Sequence, residues 1–130
     1  MKFFSQTMRA AAKIHHLMFL LQKNADTLLT TELSLSFMQA LILKIVSHHP
    51  NMSQKDLAMC TKFTAGGVSR QVELLREKGL LTRKERKDNR REHILSITVK
   101  GKQEMEKAFT LLDTNLKTVF SVLNTKESTQ

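Results

Sequence analysis

The sequence of 130 residues contains a single cysteine, Cys60, a single proline, four glycines, and neither tryptophan nor tyrosine. A lone cysteine has no partner within the chain, so a disulfide scaffold is excluded and a reducing compartment, the cytoplasm, is expected. The longest uninterrupted apolar run, Leu17 to Leu21, is far shorter than the roughly 18 residues that a membrane span needs. Charged residues and a histidine pair interrupt the N-terminal segment, so no signal peptide is expected.

The residues also lack the groupings that carry enzyme chemistry. No nucleophile, base and orienting group occur together, and the glycines do not form a phosphate-binding loop. His15-His16 and His48-His49 are the candidates for a metal site, but neighbouring helical side chains point about 100° apart and no acidic or cysteine cluster joins them. We therefore predict no catalytic residue, no metal and no cofactor. Cys60, which follows the apolar run 57–59, is predicted to be a buried, inert thiol.

Positive charge is what the sequence has in excess. The 21 Lys and Arg residues against 12 Asp and Glu give a formal net charge of +9. Residues 62–102 contain twelve basic and five acidic side chains, so +7 of this charge lies in less than a third of the chain. A local excess is the electrostatic footprint of nucleic-acid binding, although charge alone also fits anionic lipid, an acidic partner or simple solubility.

Apolar residues at helical spacing predict four helices before residue 79. The first covers residues 3 to about 30. The second begins with a capping-box pattern, Ser36 with Gln39, and stops before Pro50. A short third helix begins at Ser53, placed as its N-cap, and a fourth ends at Gly79. The core stripe of the fourth helix is predicted to be Val68, Val72 and Leu75.

After Gly79 the pattern changes to extended structure. Residues 81–86 and 92–97 are predicted as strands joined by a polar turn at 87–91. Thr98 is placed as the N-cap of a last helix, with a polar tail from Asn124. This order predicts a mainly α fold with a small β-hairpin wing, a winged helix-turn-helix.

The two terminal helices carry more apolar surface than one small winged core covers, so we expect them to pair with a second copy. We predict a single domain, residues 1–130. Residues 1–34 and 99–124 would be dimerisation helices, residues 35–98 the winged lobe, and residues 125–130 a flexible tail. The side chains assigned to the dimer surface are Phe4, Met8, Phe109, Leu112, Leu116 and Phe120.

Three stretches of the sequence occur in a recognisable order: Gly79-Leu80-Leu81-Thr82-Arg83, then Asp88-Asn89-Arg90, then Leu95-Ser96-Ile97-Thr98-Val99-Lys100-Gly101. With Leu35-Ser36, Gln39 and the run 53–58, they resemble the MarR family of bacterial transcriptional regulators over roughly residues 33–107. The resemblance implies a homodimeric winged helix-turn-helix protein that binds a pseudo-palindromic operator and is often released by a small ligand or by oxidation. It also implies that Asp88 and Arg90 pair within the wing.

Two features depart from the family pattern. The fourth helix opens with Gly66-Gly67, and a helical glycine costs on the order of 1 kcal/mol relative to alanine, which predicts a loose first turn without DNA. Cys60 does not lie near the N-terminal helix, where oxidation-sensing members carry their reactive cysteine, so sensing by oxidation is not expected.

Placing the apolar stripe of the fourth helix on the core leaves the opposite face for DNA. Arg70 is the residue chosen for base readout, because its planar fork can pair with the O6 and N7 acceptors of guanine. The alternative is a surface arginine paired with Glu73 or Glu77. The predicted contacts from this helix are Lys62, Thr64, Gly66, Gly67, Ser69, Arg70 and Glu73.

Phosphate contacts are predicted from the third helix and the wing. The start of the third helix offers free N–H groups and a positive dipole end, so Ser53, Gln54 and Lys55 are assigned to phosphate, with a plain N-cap as the alternative for Ser53. The wing suits a minor groove, and the alternative is a solvated charged hairpin. The predicted wing contacts are Lys84, Arg86, Lys87, Asn89, Arg90 and Arg91.

We therefore predict a sequence-specific, double-stranded DNA-binding transcriptional regulator rather than an enzyme, and a homodimeric repressor rather than an activator. Its partners would be DNA, a second copy and a small-molecule effector, with no membrane. Two recognition helices would enter successive major grooves about one helical turn apart. The alternative is a winged-helix protein-interaction module with only incidental DNA affinity.

Overall fold

The computed structural model describes residues 5–61, 64–86, 88 and 92–128. The described elements are α1 (Gln6–Leu33), α2 (Phe37–His48), α3 (Gln54–Thr61), α4 (Ala65–Glu77), β1 (Leu81–Glu85), β2 (His93–Ile97) and α5 (Val99–Ser128). The predicted fold class, mainly helical with a two-stranded wing, is confirmed. The chain divides into two compact units, Met1–Phe37 and Met38–Gln130.

The first unit consists of α1 and the turn that follows it. Ser5 caps the helix, because its Oγ accepts a hydrogen bond from the N–H of Met8 at 3.2 Å. Ser34 ends the helix in the left-handed conformation, with φ 56°. Asp26 Oδ1 then accepts the N–H of Phe37 at 2.6 Å, which fixes the turn. Large apolar side chains that remain exposed on α1 are Met8, Ile14, Leu17, Met18, Phe19 and Leu20.

Every element of the second unit contributes buried apolar side chains. The predicted stripe of α4 is confirmed, since all three of its members are fully buried. Burial of this stripe fixes which face of α4 remains in solvent. Among the buried side chains are Ile42, Leu43 and Val46 of α2, Leu57 of α3, Val68, Val72 and Leu75 of α4, Leu81 and Leu95 of the strands, and Met105, Ala108 and Leu112 of α5.

The wing is an antiparallel pair of strands whose register runs from Leu81↔Ile97 to Glu85↔His93. The segment before α3 joins this sheet, because Ser53 forms a bridge with Ile94 and Met52 O accepts the N–H of Leu95 at 2.9 Å. The start of α3 is therefore attached to the base of the wing.

The connection from α4 to β1 is closed by a glycine turn. Gly79 has φ +74°, a conformation that favours glycine, and its N–H donates to Arg76 O at 2.9 Å. The N–H of Leu80 donates to Leu75 O at 2.9 Å, which completes a Schellman motif. The predicted helix end at Gly79 is confirmed.

Two predictions, one on the burial of a thiol and one on the length of the last helix, are wrong. Cys60 was expected to be buried, but it is exposed, because the short helix α3 turns only Leu57 fully inward while Met59 and Cys60 point to solvent. The polar tail expected from Asn124 is helical up to Ser128. Its threonine, lysine, glutamate and serine residues lower helix propensity only slightly, and neither proline nor glycine interrupts them.

Candidate nucleic-acid interface

The exposed face of α4 begins with a capped turn rather than a loose one. Thr64 is the N-cap, and its Oγ1 accepts the N–H of Gly67 at 3.0 Å. A Cβ on Gly67 would lie 3.0 Å from that same Oγ1, so the cap leaves little room for a side chain there. A Cβ on Gly66 would meet nothing within 4 Å. The fold therefore leaves the surface at Gly66 open.

Arg70 lies on this open face one turn after Gly66, and its side chain is exposed. It forms no hydrogen bond or ion pair with any residue that the structure describes. Glu73, one of its two predicted alternative partners, instead accepts from Arg76, with Nη1 to Oε2 at 2.8 Å. The guanidinium of Arg70 is therefore available to an external acceptor.

A shallow groove of about 690 Å³ runs along this face. It brings together Gly66, Ser69, Arg70, Glu73, Leu74, Glu77 and Arg83. Arg83 was not among the predicted contacts. The alternation of a strand could have found it, because Arg83 of β1 lies on the same side as Leu81, which packs inward.

Ser53 serves mainly as a structural cap. Its Oγ accepts the N–H of Asp56 at 3.0 Å, and only 2% of its surface is exposed. The plain N-cap interpretation therefore fits the geometry, and Lys55, which is exposed, is the accessible cation of this turn.

A cavity of about 400 Å³ lies beside this cap, where the starts of α3, α4 and β2 approach one another. Gln54 Oε1 is buried and has no hydrogen-bond partner among the described residues. The lining residues are Ser53, Gln54, Lys55, Ala58, Ala65, Glu92 and His93.

Arg86 holds the base of the wing. Its Nη1 lies 2.6 Å from Glu92 Oε2 and its Nε lies 3.8 Å from Asp88 Oδ1. The N–H of Arg86 also donates to Glu92 O at 3.1 Å. The hydrogen bond to Glu92, with the charges of Glu92 and Asp88, raises the pKa of Arg86 above its ordinary value. Arg86, predicted as a DNA contact, is therefore largely engaged within the wing.

Several predicted contacts lie outside the described residues. One of them is the Asp88–Arg90 pair, of which only Asp88 is described; this residue lies beside Arg86. The others are Phe4, Lys62, Lys87, Asn89 and Arg91. Among the predicted DNA contacts that are described, Ser53 is buried, Gln54 and Gly67 are partly exposed, and Lys55, Thr64, Gly66, Ser69, Arg70, Glu73, Lys84 and Arg86 are exposed.

The side chains assigned to a dimer surface are not equivalent. Met8, Leu116 and Phe120 are exposed. Phe109 is partly covered by Lys44, whose Nζ lies 4.9 Å from the centre of the ring. Leu112 is only 8% exposed and so belongs to the core of the second unit rather than to a free surface.

The described residues also bear on two other kinds of site, a metal centre and a membrane span. No group of three His, Cys, Asp or Glu residues there is arranged to hold a metal ion. No single described helix is long and apolar enough to cross a membrane, although α1 and α2 taken together meet the length and composition required.

Known proteins share the winged region. A family model described as "MarR family" matches residues 33–92. The HTH-type transcriptional regulator BilQ of Clostridium symbiosum (strain WAL-14163) is 32% identical over 85 residues, which cover 65% of this chain and 59% of that protein. The match thus spans less than two thirds of the length of this relative.

Solved structures extend the similarity to both terminal helices. The transcriptional regulator BldR from Sulfolobus solfataricus has a TM-score of 0.77 and 25% identity, with both chains fully covered. AbsC, a MarR family transcriptional regulator from Streptomyces coelicolor, has a TM-score of 0.80 and 21% identity, with 95% of this chain and 84% of that chain covered. A point mutant of S. aureus MepR bound to oligodeoxyribonucleotide has a TM-score of 0.67 and 21% identity, with 86% of this chain and 82% of that chain covered. The resemblance drawn from the sequence motifs is confirmed.

Proposed function

Because residues 33–92 match the MarR family model, we propose that the chain is a member of that family and a sequence-specific, double-stranded DNA-binding transcriptional regulator. The observation that carries the proposal is the free guanidinium of Arg70 on the exposed face of α4, unpaired among the described residues. An arginine without an internal partner can form a bidentate pair with guanine in a major groove at little cost in lost contacts. The relative solved with an oligodeoxyribonucleotide shares this fold, which supports the proposal.

Each element has a distinct task in this proposal. The exposed face of α4 enters a major groove, and the open surface at Gly66 allows a close approach of the DNA backbone. Lys55 at the start of α3 faces a phosphate. Lys84 and the segment 87–91 bring positive charge to the neighbouring minor groove, while Arg86 and Glu92 hold the two strands of the wing together.

We further propose that the regulator is a homodimeric repressor in the cytoplasm, released by a small ligand. Exposed apolar side chains on α1 and α5, among them Met8, Leu116 and Phe120, support pairing with a second copy. Pairing of two identical lobes predicts an operator with inverted half-sites, because protein symmetry is mirrored in the DNA. A ligand that binds one arrangement of the two lobes better than another would change operator affinity.

Selection of bound duplexes from a random pool tests the proposal. We expect an inverted repeat, and binding to it should weaken steeply as salt rises, because each neutralised phosphate releases counterions. A scrambled duplex of the same length and base composition is the control. Recovery of no motif, or binding that ignores both sequence and salt, would favour the protein-interaction module instead.

A further inference from the structure

The C-terminal end of α4 is held from two sides at one residue. Lys78 is the C-cap of the helix, and its Nζ donates to Gln39 Oε1 of α2 at 3.4 Å. The backbone carbonyl of Lys78 accepts from Lys100 Nζ of α5 at 3.2 Å. Side chains from α2 and α5 therefore meet the recognition helix at the same place.

Gln39 contacts α4 at a second point. It is only 7% exposed, and its Nε2 donates to Gln71 Oε1 at 3.0 Å. Gln71 lies seven positions before Lys78, about two helical turns away on the same face. The apolar stripe of α4 packs without directional preference, whereas hydrogen bonds at two points along the helix restrict its rotation about its own axis.

The first turn of α5 adds further contacts to this end. Thr98 Oγ1 donates to Gly79 O at 2.7 Å. A Cβ on Gly101 would overlap Leu80 O, so the two backbones are in close contact. Lys100 stands at the N-terminal end of its own helix, where a cation is unfavourable, but its ammonium reaches the carbonyl end of α4, where a cation is favourable.

We propose that Gln39 and Lys100 are positioning residues that set the rotation of α4 about its axis, and thereby determine which bases Arg70 faces. This inference rests on the proposed DNA-binding function. A rotation of about 10° moves a side chain at the helix surface by about 1 Å, which exceeds the distance tolerance of a hydrogen bond. Small changes at the C-terminal end of α4 are therefore expected to change base discrimination without removing any side chain that contacts DNA.

The burial pattern separates this role from a purely structural one. Gln71 and Lys78 are partly exposed and Lys100 is exposed, so water can solvate them if their partners are removed. Gln39→Leu keeps a side chain of similar size in the interior, and Lys100→Met keeps the aliphatic stem. Both variants should therefore fold with little loss of stability.

Binding to the selected operator and to a scrambled duplex tests the inference. Gln39→Leu and Lys100→Met should each lower the ratio of the two affinities about fivefold to tenfold, by weakening operator binding, because part of a bidentate contact is lost. The melting temperature should stay close to that of the wild type. Lys102→Met, which removes an exposed cation from the same turn, is the matched control and should weaken both duplexes equally. Lys100→Arg should retain the ratio.

A second measurement needs no DNA. Amide chemical shifts of residues 66–70 should move along a common direction in Gln39→Leu and Lys100→Met, and should not move in Lys102→Met. An unchanged affinity ratio in both variants, or an equal loss on both duplexes, would overturn the inference. If the wild-type protein does not discriminate between the two duplexes, the proposed function fails. The chemical shifts alone then decide whether Gln39 and Lys100 control the rotation of α4, and shifts that do not change in the two variants would overturn this inference.

Discussion

The two ends of α4 are built in opposite ways. The C-terminal end is closed by a Schellman motif and held by Gln39, Thr98 and Lys100. The N-terminal half has the Thr64 cap but presents Gly66 and Arg70 to solvent, with the arginine free of any described partner. One end of the helix is fixed to the fold, and the other is left available for binding.

The same contrast separates two arginines that charge counting treats alike. Arg70 and Arg86 both belong to the segment that carries most of the net charge. Arg86 is paired with Glu92, whereas Arg70 forms no hydrogen bond or ion pair with the described residues. The location of charge therefore predicts the binding region, and the internal pairing within that region indicates which cations are free for the proposed contact with DNA.

The largest expected effect comes from the fixed end. Gly101→Ala would place a Cβ in overlap with Leu80 O, a backbone atom that cannot move aside easily. We expect the free energy of unfolding to fall by about 2 to 4 kcal/mol, as for overpacking combined with backbone displacement. Denaturant unfolding measures the change. Retention of wild-type stability would show that the α4–α5 junction is looser than its geometry indicates.

The next effect comes from the free end. Arg70→Ala should lose about 1 to 3 kcal/mol of discrimination between operator and scrambled duplex, because a bidentate contact to guanine is removed. Thermal unfolding should not change, since no described residue depends on this side chain. Arg70→Lys is the control for charge: relative to Arg70→Ala it should raise affinity for both duplexes by the same factor, and so leave the ratio of the two affinities low.

Gly66 and Gly67 allow a comparison within the first turn. Gly66→Ala should raise stability by about 0.5 to 1 kcal/mol, because its Cβ meets nothing and alanine favours a helix. Operator affinity should fall in the same variant if the DNA backbone approaches here. Gly67→Ala is the matched substitution, and its crowding of Thr64 Oγ1 should cancel the gain in helix propensity. Equal effects of the two changes on stability and affinity would remove the distinction between them.

The smallest effect is expected at the base of the wing. Arg86→Met should weaken binding to operator and scrambled duplex by a similar factor, about twofold to fivefold, because it loosens the wing without removing a base contact. Because the hydrogen bond and charge of Glu92 raise the pKa of Arg86, its guanidinium stays charged as pH rises above neutral, so rising salt rather than rising pH should weaken the pair. Binding titrations at increasing salt concentration measure the change in affinity, with Lys84→Met as the control. A loss of affinity confined to the operator would instead assign Arg86 to base readout.

Local signals in the sequence predicted the fold well. Ser53, Thr98 and Gly79 were assigned as caps from residue type and position, and their hydrogen bonds or backbone angle agree. The face of α4 followed from three apolar residues at helical spacing. These features depend on neighbours within one or two turns, which a sequence displays directly.

Features that depend on distant residues were missed. Consecutive apolar residues precede Cys60, and together they cover more of the helix circumference than a short helix can bury. The run therefore did not indicate whether the thiol would lie on the buried or on the exposed face. Gln39 was assigned to a cap on its own helix, and its reach to Gln71 and Lys78 depends on how α2 packs against α4. Likewise Arg83 joins Arg70 only because the strand lies beside the helix.

Parallel selection of bound DNA by the wild-type protein and Arg70→Ala tests most directly whether the free half of α4 reads sequence. The wild type should enrich an inverted repeat with a specified guanine in each half-site. Arg70→Ala should enrich the same repeat with the same spacing but without that guanine preference, because its other contacts are unchanged. An identical motif from both proteins, or no motif from the wild type, would contradict this assignment of α4.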